Sequence, residues 1–227
     1  MYYYYDQLSF FIVIVSLMVG LGAQLYISGQ YRKYMKVQIS TQLTGAQIAR
    51  RMLDANGLGH VPIQVVPGKL TDNYDSRTGV LSLSQEVFEG RSVAATAIAC
   101  HECGHAVQHA AAYAPMRLRT ALWPAANIAS NLWAIAFMLG LVLAIFELVW
   151  VAALMFAAVL AFQLVTLPVE FNASARATAY ISTGGFLPEN ESKGIHRVLT
   201  AAALTYVAGA LVSVLQMVRL VNVARRR

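Results

Sequence analysis

The chain reads AANIASNLWAIAFMLGLVLAIFELVWVAALMFAAVLAFQLVTL from residue 125 to residue 167. Glu147 is the single charged residue of this stretch, and it separates two apolar spans, Ala125 to Phe146 and Leu148 to Leu167. Each span is long enough to cross a bilayer as a helix, which takes about 20 residues. The pattern therefore predicts a tight transmembrane hairpin.

Two more apolar stretches run from Leu8 to Ile27 and from Val198 to Leu220. The first lacks the basic region of a signal peptide, so we expect it to stay in place as an anchor. Composition favours a membrane protein, because 58% of the 227 residues are hydrophobic and only 12% are charged. A soluble domain has about 25% charged residues. The net charge of +6 is typical of cytoplasmic loops, and no basic stretch interleaved with aromatic residues indicates a nucleic-acid partner.

The polar residues between these stretches predict a small α+β layer. Thr44 is typical of a helix N-cap, and Val61 to Val66 and Val80 to Ser84 have strand character. Ser92 can cap a long helix that continues to about Tyr113.

The second half of the chain carries turn and helix signals after the hairpin. Pro168 is expected to end the span before it, with a separate helix from Val169 to Tyr180. Residues 183–192 contain glycine and proline and are expected to form a solvated loop. Five segments result: residues 1–28 (an anchor), 29–123 (a catalytic segment), 124–167 (the hairpin), 168–197 (a ligand helix and loop) and 198–227 (the last span and a basic tail).

His101-Glu-Cys-Gly-His105 is an H-E-x-x-H motif within the long predicted helix. Spacing i and i+4 places both imidazoles on one helix face, where they can bind one zinc ion. Glu102 can then act as general base towards a zinc-activated water. Gly104 is expected to leave the helix surface open beside the metal. A histidine–glutamate cluster without a partner would be costly in so apolar a chain, which counts against a chance match.

Cys100 and Cys103 interleave with the motif and form a C-x-x-C. We interpret them as small apolar fillers rather than a redox pair or a disulfide. His109 follows His105 by one turn but lies about 12 Å of helix rise from His101, too far to share its metal ion. It either contacts a zinc ligand or is simply the polar end of the helix, and we favour the second interpretation. His60 adjoins a glycine and a valine-proline pair and is expected to be solvated.

A catalytic zinc needs a third protein ligand and an open position. Glu147 lies a full membrane span away in the hairpin turn, and Glu189 and Glu191 lie in the predicted loop. Glu170 begins a helix where the chain returns from the hairpin, so it is the favoured ligand. A simpler role for Glu170, stabilising the helix dipole, stays open, and His196 is a further candidate.

A family resemblance is spread over nearly the whole chain. The blocks that carry it are LTDNYD (70–75), VLSLS (80–84), CHECGHAVQH (100–109), YAPMRLR (113–119), LPVEFNAS (167–174) and AAALTYVA (201–208). In these blocks the chain resembles the YugP-type bacterial membrane zinc metallopeptidases. The segment from Glu170 to Ser174 is also similar to the E-x-x-x-D helix of HtpX-like and CaaX-processing membrane proteases, in which the glutamate completes the zinc site. Ser174 stands where those families carry aspartate, and Asn73 stands where many relatives carry histidine.

The resemblance implies a membrane α-helical protein with a small zincin-like α+β catalytic layer on about four transmembrane helices. It implies an endopeptidase of the bacterial inner membrane that binds one zinc ion through His101, His105 and Glu170, with Glu102 as base. Its substrate would be a polypeptide, membrane proteins among them. The positive residues Arg32, Lys33 and Lys36 after the first span favour a cytoplasmic active site, whereas the arginines at the end of the chain favour the opposite side. The candidates for residues that contact the zinc ligands without binding zinc themselves are His109, Ser174 and Arg176. The candidates for oxyanion stabilisation are Tyr113, Arg176 and His196.

An extended substrate can bind by adding a strand to an exposed sheet edge. The segment from Leu70 to Asp75 is expected to form this edge beside the zinc, with Asp72, Asn73 and Tyr74 as candidate contacts. Two other functions stay open. An intramembrane protease would usually take an aspartate from a second apolar helix, yet no aspartate follows Asp75. The other is a non-enzymatic membrane protein with a structural zinc, which would need four protein ligands. Cys100 and Cys103 are the candidates for further ligands, but neither lies on the histidine face of the helix.

Overall fold

The computed structural model describes residues 7–185 and 187–225. Residues 1–6, 186, 226 and 227, which include the start of the predicted anchor and the end of the basic tail, lie outside the described part. The described residues form seven helices and three strands. These are α1 (Gln7–Met35), α2 (Gly45–Ala55), β1 (Ile63–Val66), β2 (Asn73–Asp75), β3 (Val80–Ser84), α3 (Gln85–Phe88), α4 (Val93–Ala110), α5 (Ala114–Val142), α6 (Phe146–Gly184) and α7 (Glu189–Arg225).

Four helices of the described residues, α1, α5, α6 and α7, are long and apolar enough to cross a membrane. Together with the three-stranded sheet they confirm the predicted fold class, a membrane α-helical protein with a small α+β layer. α5 begins at Ala114 rather than Ala125, because Pro115 lies in its first turn, where a missing N–H costs no helical hydrogen bond. The motif helix α4 correspondingly ends at Ala110, and Ala112 has a positive φ of 49°.

The expected break at Pro168 is wrong. α6 continues through this residue from Phe146 to Gly184, so Glu170 lies inside one long helix and does not begin a new one. A proline removes one helical hydrogen bond, and in membrane helices the freed backbone group is commonly satisfied by neighbouring groups. The backbone group that Pro168 leaves without a helical donor is the carbonyl of Leu164, one turn earlier. The carbonyl of Pro168 itself accepts from the hydroxyl of Tyr113 at 3.4 Å.

The expected solvated loop over residues 183–192 is also wrong in its second half. α7 begins at Glu189, so Glu189 and Glu191 lie in its first turn, where acidic side chains favour the helix dipole. Glu191 is buried and accepts hydrogen bonds of 3.1 Å from the backbone N–H of Ser40. Glu189 is exposed and forms an ion pair with Lys193 at 2.7 Å.

The α+β layer contains the helix caps that its sequence predicts. Thr44 caps α2 in a capping box with Gln47, and the side chain of Ser92 caps α4 by accepting from the backbone N–H of Ala95. In the sheet, β3 is central, with β1 parallel on one side and β2 antiparallel on the other. β2 is therefore an edge strand. The core beneath the sheet includes α2, β3 and α4 residues such as Ile48, Leu81 and Ala99.

The chain forms two compact units. The helical unit consists of residues 7–24, 117–167 and 205–225, and the α+β unit consists of residues 25–116 and 168–204. The four long helices each contribute residues to both units. The H-E-x-x-H motif and Glu170 belong to the α+β unit.

Candidate metal centre

The two motif histidines lie on one face of α4. The centroids of the His101 and His105 rings are 4.8 Å apart, and the rings are nearly perpendicular. His105 is buried and His101 is half-buried. The i, i+4 spacing thus places two imidazoles next to each other in a largely buried position of the α+β unit.

Glu170 comes to these histidines from α6. Its Oε2 lies 3.1 Å from Nε2 of His101 and 3.7 Å from Nε2 of His105. Only 2% of Glu170 is exposed, and a carboxylate this buried is costly unless cationic or hydrogen-bonding groups contact it. Because Oε2 of Glu170 lies close to Nε2 of both histidines, these three atoms can bind one metal ion.

The donor set fits a catalytic zinc ion. Zinc binds imidazole nitrogen and carboxylate oxygen at about 2.0–2.2 Å, so a tetrahedral site places neighbouring donors about 3.3–3.6 Å apart. The separations from Oε2 of Glu170, 3.1 Å and 3.7 Å, lie on either side of this value. Two histidines and one glutamate would also leave the fourth position open, as in catalytic sites.

Gly104 allows α4 and α6 to approach each other closely. A Cβ atom at Gly104 would lie 2.6 Å from the carbonyl oxygen of Ala173 and 3.0 Å from its Cα. The expectation that Gly104 leaves an open surface beside the metal is therefore wrong, because the backbone of α6 fills that space. The glycine instead lets the helix with Glu170 lie against the helix with both histidines.

Glu102 is held by the edge strand. The backbone N–H of Tyr74 in β2 donates to Oε2 of Glu102 at 3.0 Å. A ligating atom of Glu102 lies within 4.8 Å of those of His101 and His105. Burial raises the pKa of the Glu102 carboxyl above its ordinary value, and the charges of His105 and His101 oppose this rise. The Glu102 carboxylate thus lies beside the two histidines but is hydrogen-bonded to the backbone N–H of Tyr74.

The ring nitrogens that face away from the metal site also have partners. Nδ1 of His101 lies 3.1 Å from the hydroxyl of Ser174, which is one turn beyond Glu170 on α6. Nδ1 of His105 lies 3.0 Å from Oε1 of Gln108. Such contacts fix the orientation of metal-binding histidines, and their loss typically lowers metal affinity about 10–100-fold.

A relay of amides determines which nitrogen of His105 carries the proton. Arg176 can only donate, so Oδ1 of Asn172 accepts from its Nε at 2.8 Å. Nε2 of Gln108 donates to the same Oδ1 at 3.0 Å and to the carbonyl of Val169 at 2.7 Å. Oε1 of Gln108 must then accept from Nδ1–H of His105, which leaves the Nε2 lone pair free for a metal.

Gln108 and Asn172 were missed by the sequence analysis. Gln108 follows His105 by three residues and therefore shares its helix face, a spacing that could have indicated the contact. Asn172 had no comparable signal, because its role depends on how α6 packs against α4. Arg176 was a candidate for contacting a zinc ligand. It is linked to His105 through the side-chain amides of Asn172 and Gln108.

The candidate substrate edge is shorter than expected. β2 covers Asn73 to Asp75, whereas Leu70 has a positive φ of 57° and does not continue the strand. Asp72 accepts hydrogen bonds from the backbone N–H and hydroxyl of Ser84 at 2.7 and 3.0 Å, so it links the start of the hairpin to the end of β3. The side chain of Asn73 donates to the carbonyl of Thr71 at 2.9 Å.

The other residues considered from the sequence lie outside the proposed set of three zinc ligands. Nδ1 of His109 is 2.9 Å from the hydroxyl of Tyr74, so His109 contacts the edge strand rather than a zinc ligand. His60 and His196 are exposed. Glu147 belongs to the helical unit.

Cys100 and Cys103 are both free and fully buried in the core. Burial raises the pKa of the Cys100 thiol to about 12, so it stays protonated near neutral pH. The thiol of Cys103 donates to the carbonyl of Ala49 in α2 at 3.5 Å. Both side chains therefore act as core residues, as the sequence analysis expected.

Comparison with known proteins identifies the family of the chain. The family model described as "Putative neutral zinc metallopeptidase" matches residues 9–225. A curated relative, "Putative membrane protease YugP" of Bacillus subtilis (strain 168), is 44% identical over 217 residues, which is 96% of each chain. No solved structure matches the chain. Because the match covers nearly every residue, including the motif helix and the segment around Glu170, the chain belongs to the neutral zinc metallopeptidase family.

Proposed function

We propose that the protein is a membrane-embedded, zinc-dependent endopeptidase that binds one catalytic zinc ion through His101, His105 and Glu170. The observation that carries this proposal is the convergence of Oε2 of Glu170 on Nε2 of both motif histidines. Family membership supports the choice of zinc as the metal. The open fourth position expected of such a donor set favours a catalytic over a structural role.

Glu102 is proposed as the general base. A zinc ion at these ligands supplies a Lewis acid that lowers the pKa of a water molecule to roughly neutral. Glu102 can take the proton from the attacking water as the new C–O bond forms, and can return it to the amine as the C–N bond breaks. The N–H of Tyr74 fixes one carboxylate oxygen, so the other is available for this proton.

We further propose that the polypeptide substrate extends along β2. This strand pairs with β3 on one side only, and its Tyr74 amide points to Glu102 rather than to β3. In an antiparallel strand the N–H and C=O of one residue face the same side, so the carbonyl of Tyr74 is placed to accept a hydrogen bond from an extended substrate. Tyr74 thereby couples substrate alignment to the position of the base.

The two alternative functions, a non-enzymatic protein with a structural zinc and an intramembrane protease, are less well supported. A structural zinc would need a fourth protein ligand, but both cysteines are buried in the core and Glu102 is bound to the Tyr74 amide. An intramembrane protease would take an aspartate from another helix, where this chain has Glu170 from α6.

The proposed activity predicts a response to metal removal. Detergent-purified protein should hydrolyse fluorescently labelled casein, lose this activity in a zinc chelator, and regain it when zinc is added. The physical reason is that the three ligands cannot activate water without the ion. Hydrolysis that persists in the metal-free protein, with zinc content measured in the same sample, would contradict the proposal.

The membrane orientation is also a proposal. If all four apolar helices cross the bilayer, both termini lie on one side and residues 36–113 lie on the other. Arg32 and Lys33 lie in the last turn of α1, and Lys36 follows directly. Positive residues close to the end of a span favour the cytoplasm, which supports a cytoplasmic active site. The arginines at the end of the chain, 219 and 225–227, favour the opposite orientation.

Cysteine labelling tests this orientation. Arg77 is exposed in the β2–β3 turn, so a membrane-impermeant maleimide added to intact cells should not label Arg77→Cys but should label a cysteine added after Arg227. Cys100 and Cys103 are buried and give little background. Labelling of Arg77→Cys with protection of the added C-terminal cysteine would reverse the proposed orientation.

A further inference from the structure

A cavity of about 350 Å³ opens on the sheet side of α4. Its floor is formed by Ala106, His109 and Ala110 of the last turns of α4, and one wall is formed by Tyr74. The rest of the lining comes from residues 58 and 60–62 before β1 and from the β2–β3 turn at Thr78 and Gly79. This volume is at the lower end of the range for ligand pockets, about 300–1,000 Å³.

Tyr74 joins this cavity to the candidate metal centre. Its backbone N–H holds Glu102, and its side chain lines the cavity with its hydroxyl 2.9 Å from Nδ1 of His109. Ala106 is four residues beyond Glu102, so the floor of the cavity begins one helical turn from the base on the same side of α4. A substrate whose reacting carbonyl is next to Glu102 therefore has an adjacent side chain within reach of the cavity.

The chemistry of the lining favours an apolar side chain. Leu58, Val61, Pro62 and the two alanines present only carbon atoms from their side chains, and among the described residues no lysine, arginine or carboxylate lines the cavity. The polar groups are His60, Thr78 and the Tyr74–His109 pair, whose two members already contact each other. The space exists because residues 106 and 110 are alanine, since any larger side chain at the floor would reduce it.

We propose that this cavity is the specificity subsite of the enzyme and that it takes a bulky apolar side chain, aromatic or long aliphatic, next to the scissile bond. This inference rests on the proposed peptidase function and names the class of substrate. It assigns Tyr74 two roles, with its amide positioning the base and its ring forming the wall of the subsite.

Peptide selectivity tests the proposal. Labelled decapeptides of glycine and serine with one central residue, phenylalanine, leucine, alanine or aspartate, are compared by kcat/KM, and mass spectrometry locates the cleaved bond. Burial of a large apolar side chain should favour the phenylalanine and leucine peptides about 10–100-fold over the alanine peptide. Cleavage should occur beside the central residue. Equal rates, or a preference for aspartate, would overturn the proposal.

A substitution at the exposed residue Ala110 should fill the cavity from the end of α4. Ala110→Phe should remove most of the preference for phenylalanine and leucine over alanine while leaving the zinc content unchanged. Ala111→Phe is the matched control, because Ala111 is exposed and next in sequence but is outside the lining, and it should keep the wild-type preference. An unchanged preference in Ala110→Phe would refute the subsite.

A binding measurement separates this inference from the proposed function. Fluorescence anisotropy with the same peptides, made on the Glu102→Gln protein, should show tighter binding of the phenylalanine peptide and loss of that advantage when Ala110→Phe is added. Hydrolysis that does not depend on Glu102 would count against the proposed function alone. Binding without any apolar preference would count against the subsite alone.

Discussion

Glu102→Gln is expected to lower casein hydrolysis by about two to four orders of magnitude while the protein keeps its zinc. Glutamine retains a carbonyl oxygen that can accept from the Tyr74 N–H, as Oε2 of Glu102 does at 3.0 Å. The side chain should therefore keep its place, but it can no longer take a proton from water. Initial rates and zinc content are measured on the same preparation.

Glu89→Gln is the matched control for this variant. Glu89 is exposed and lies directly after α3, so the same loss of a carboxylate there should leave both the rate and the zinc content unchanged. A Glu102→Gln protein with full activity would remove Glu102 from the mechanism. A protein that loses its metal would instead make Glu102 a ligand.

Gly104→Ala is expected to lower zinc affinity by about 5- to 150-fold, together with activity. The added Cβ would lie 2.6 Å from the carbonyl oxygen of Ala173, and a backbone atom cannot turn away as a flexible side chain can. α6 must therefore move from α4, which separates Glu170 from His101 and His105. Overpacking of this kind typically costs about 1–3 kcal/mol, and zinc affinity is measured by competition with a fluorescent chelator.

Helix propensity alone predicts that Gly104→Ala stabilises the protein. Alanine is about 1 kcal/mol more favourable than glycine inside a helix, so a helix without the close contact should be stabilised. Gly29→Ala in α1 is the control, because a Cβ there has no atom within 4 Å, and it should leave zinc affinity unchanged. If Gly104→Ala binds zinc as tightly as the wild type, the close approach of α6 does not position Glu170.

The features that were predictable from sequence depend on short-range patterns. The caps at Thr44 and Ser92 and the strand Val80 to Ser84 follow from local signals, and the structure contains them. The four apolar helices follow from composition over about 20 residues. The juxtaposition of His101 and His105 follows from helix periodicity alone.

The features that were missed depend on tertiary packing. Pro168 would end a helix in water, but α6 continues through it, as membrane helices often do because neighbouring groups satisfy the freed backbone. Glu191 was assigned to a loop because of nearby glycine and proline, although Pro188 before two acidic residues is also typical of a helix start. The amide relay from Arg176 to His105 joins residues about 70 positions apart, and no local pattern indicates such contacts.

The zinc content of four purified proteins tests the central claim most directly. Metal analysis by mass spectrometry should find about one zinc per chain in the wild type and far less in His101→Ala, His105→Ala and Glu170→Ala, because each variant removes one of only three protein ligands. Glu170→Ala is the decisive variant, since its ligand role depends on the packing of α6 against α4. A Glu170→Ala protein that holds one zinc with wild-type affinity would contradict the account.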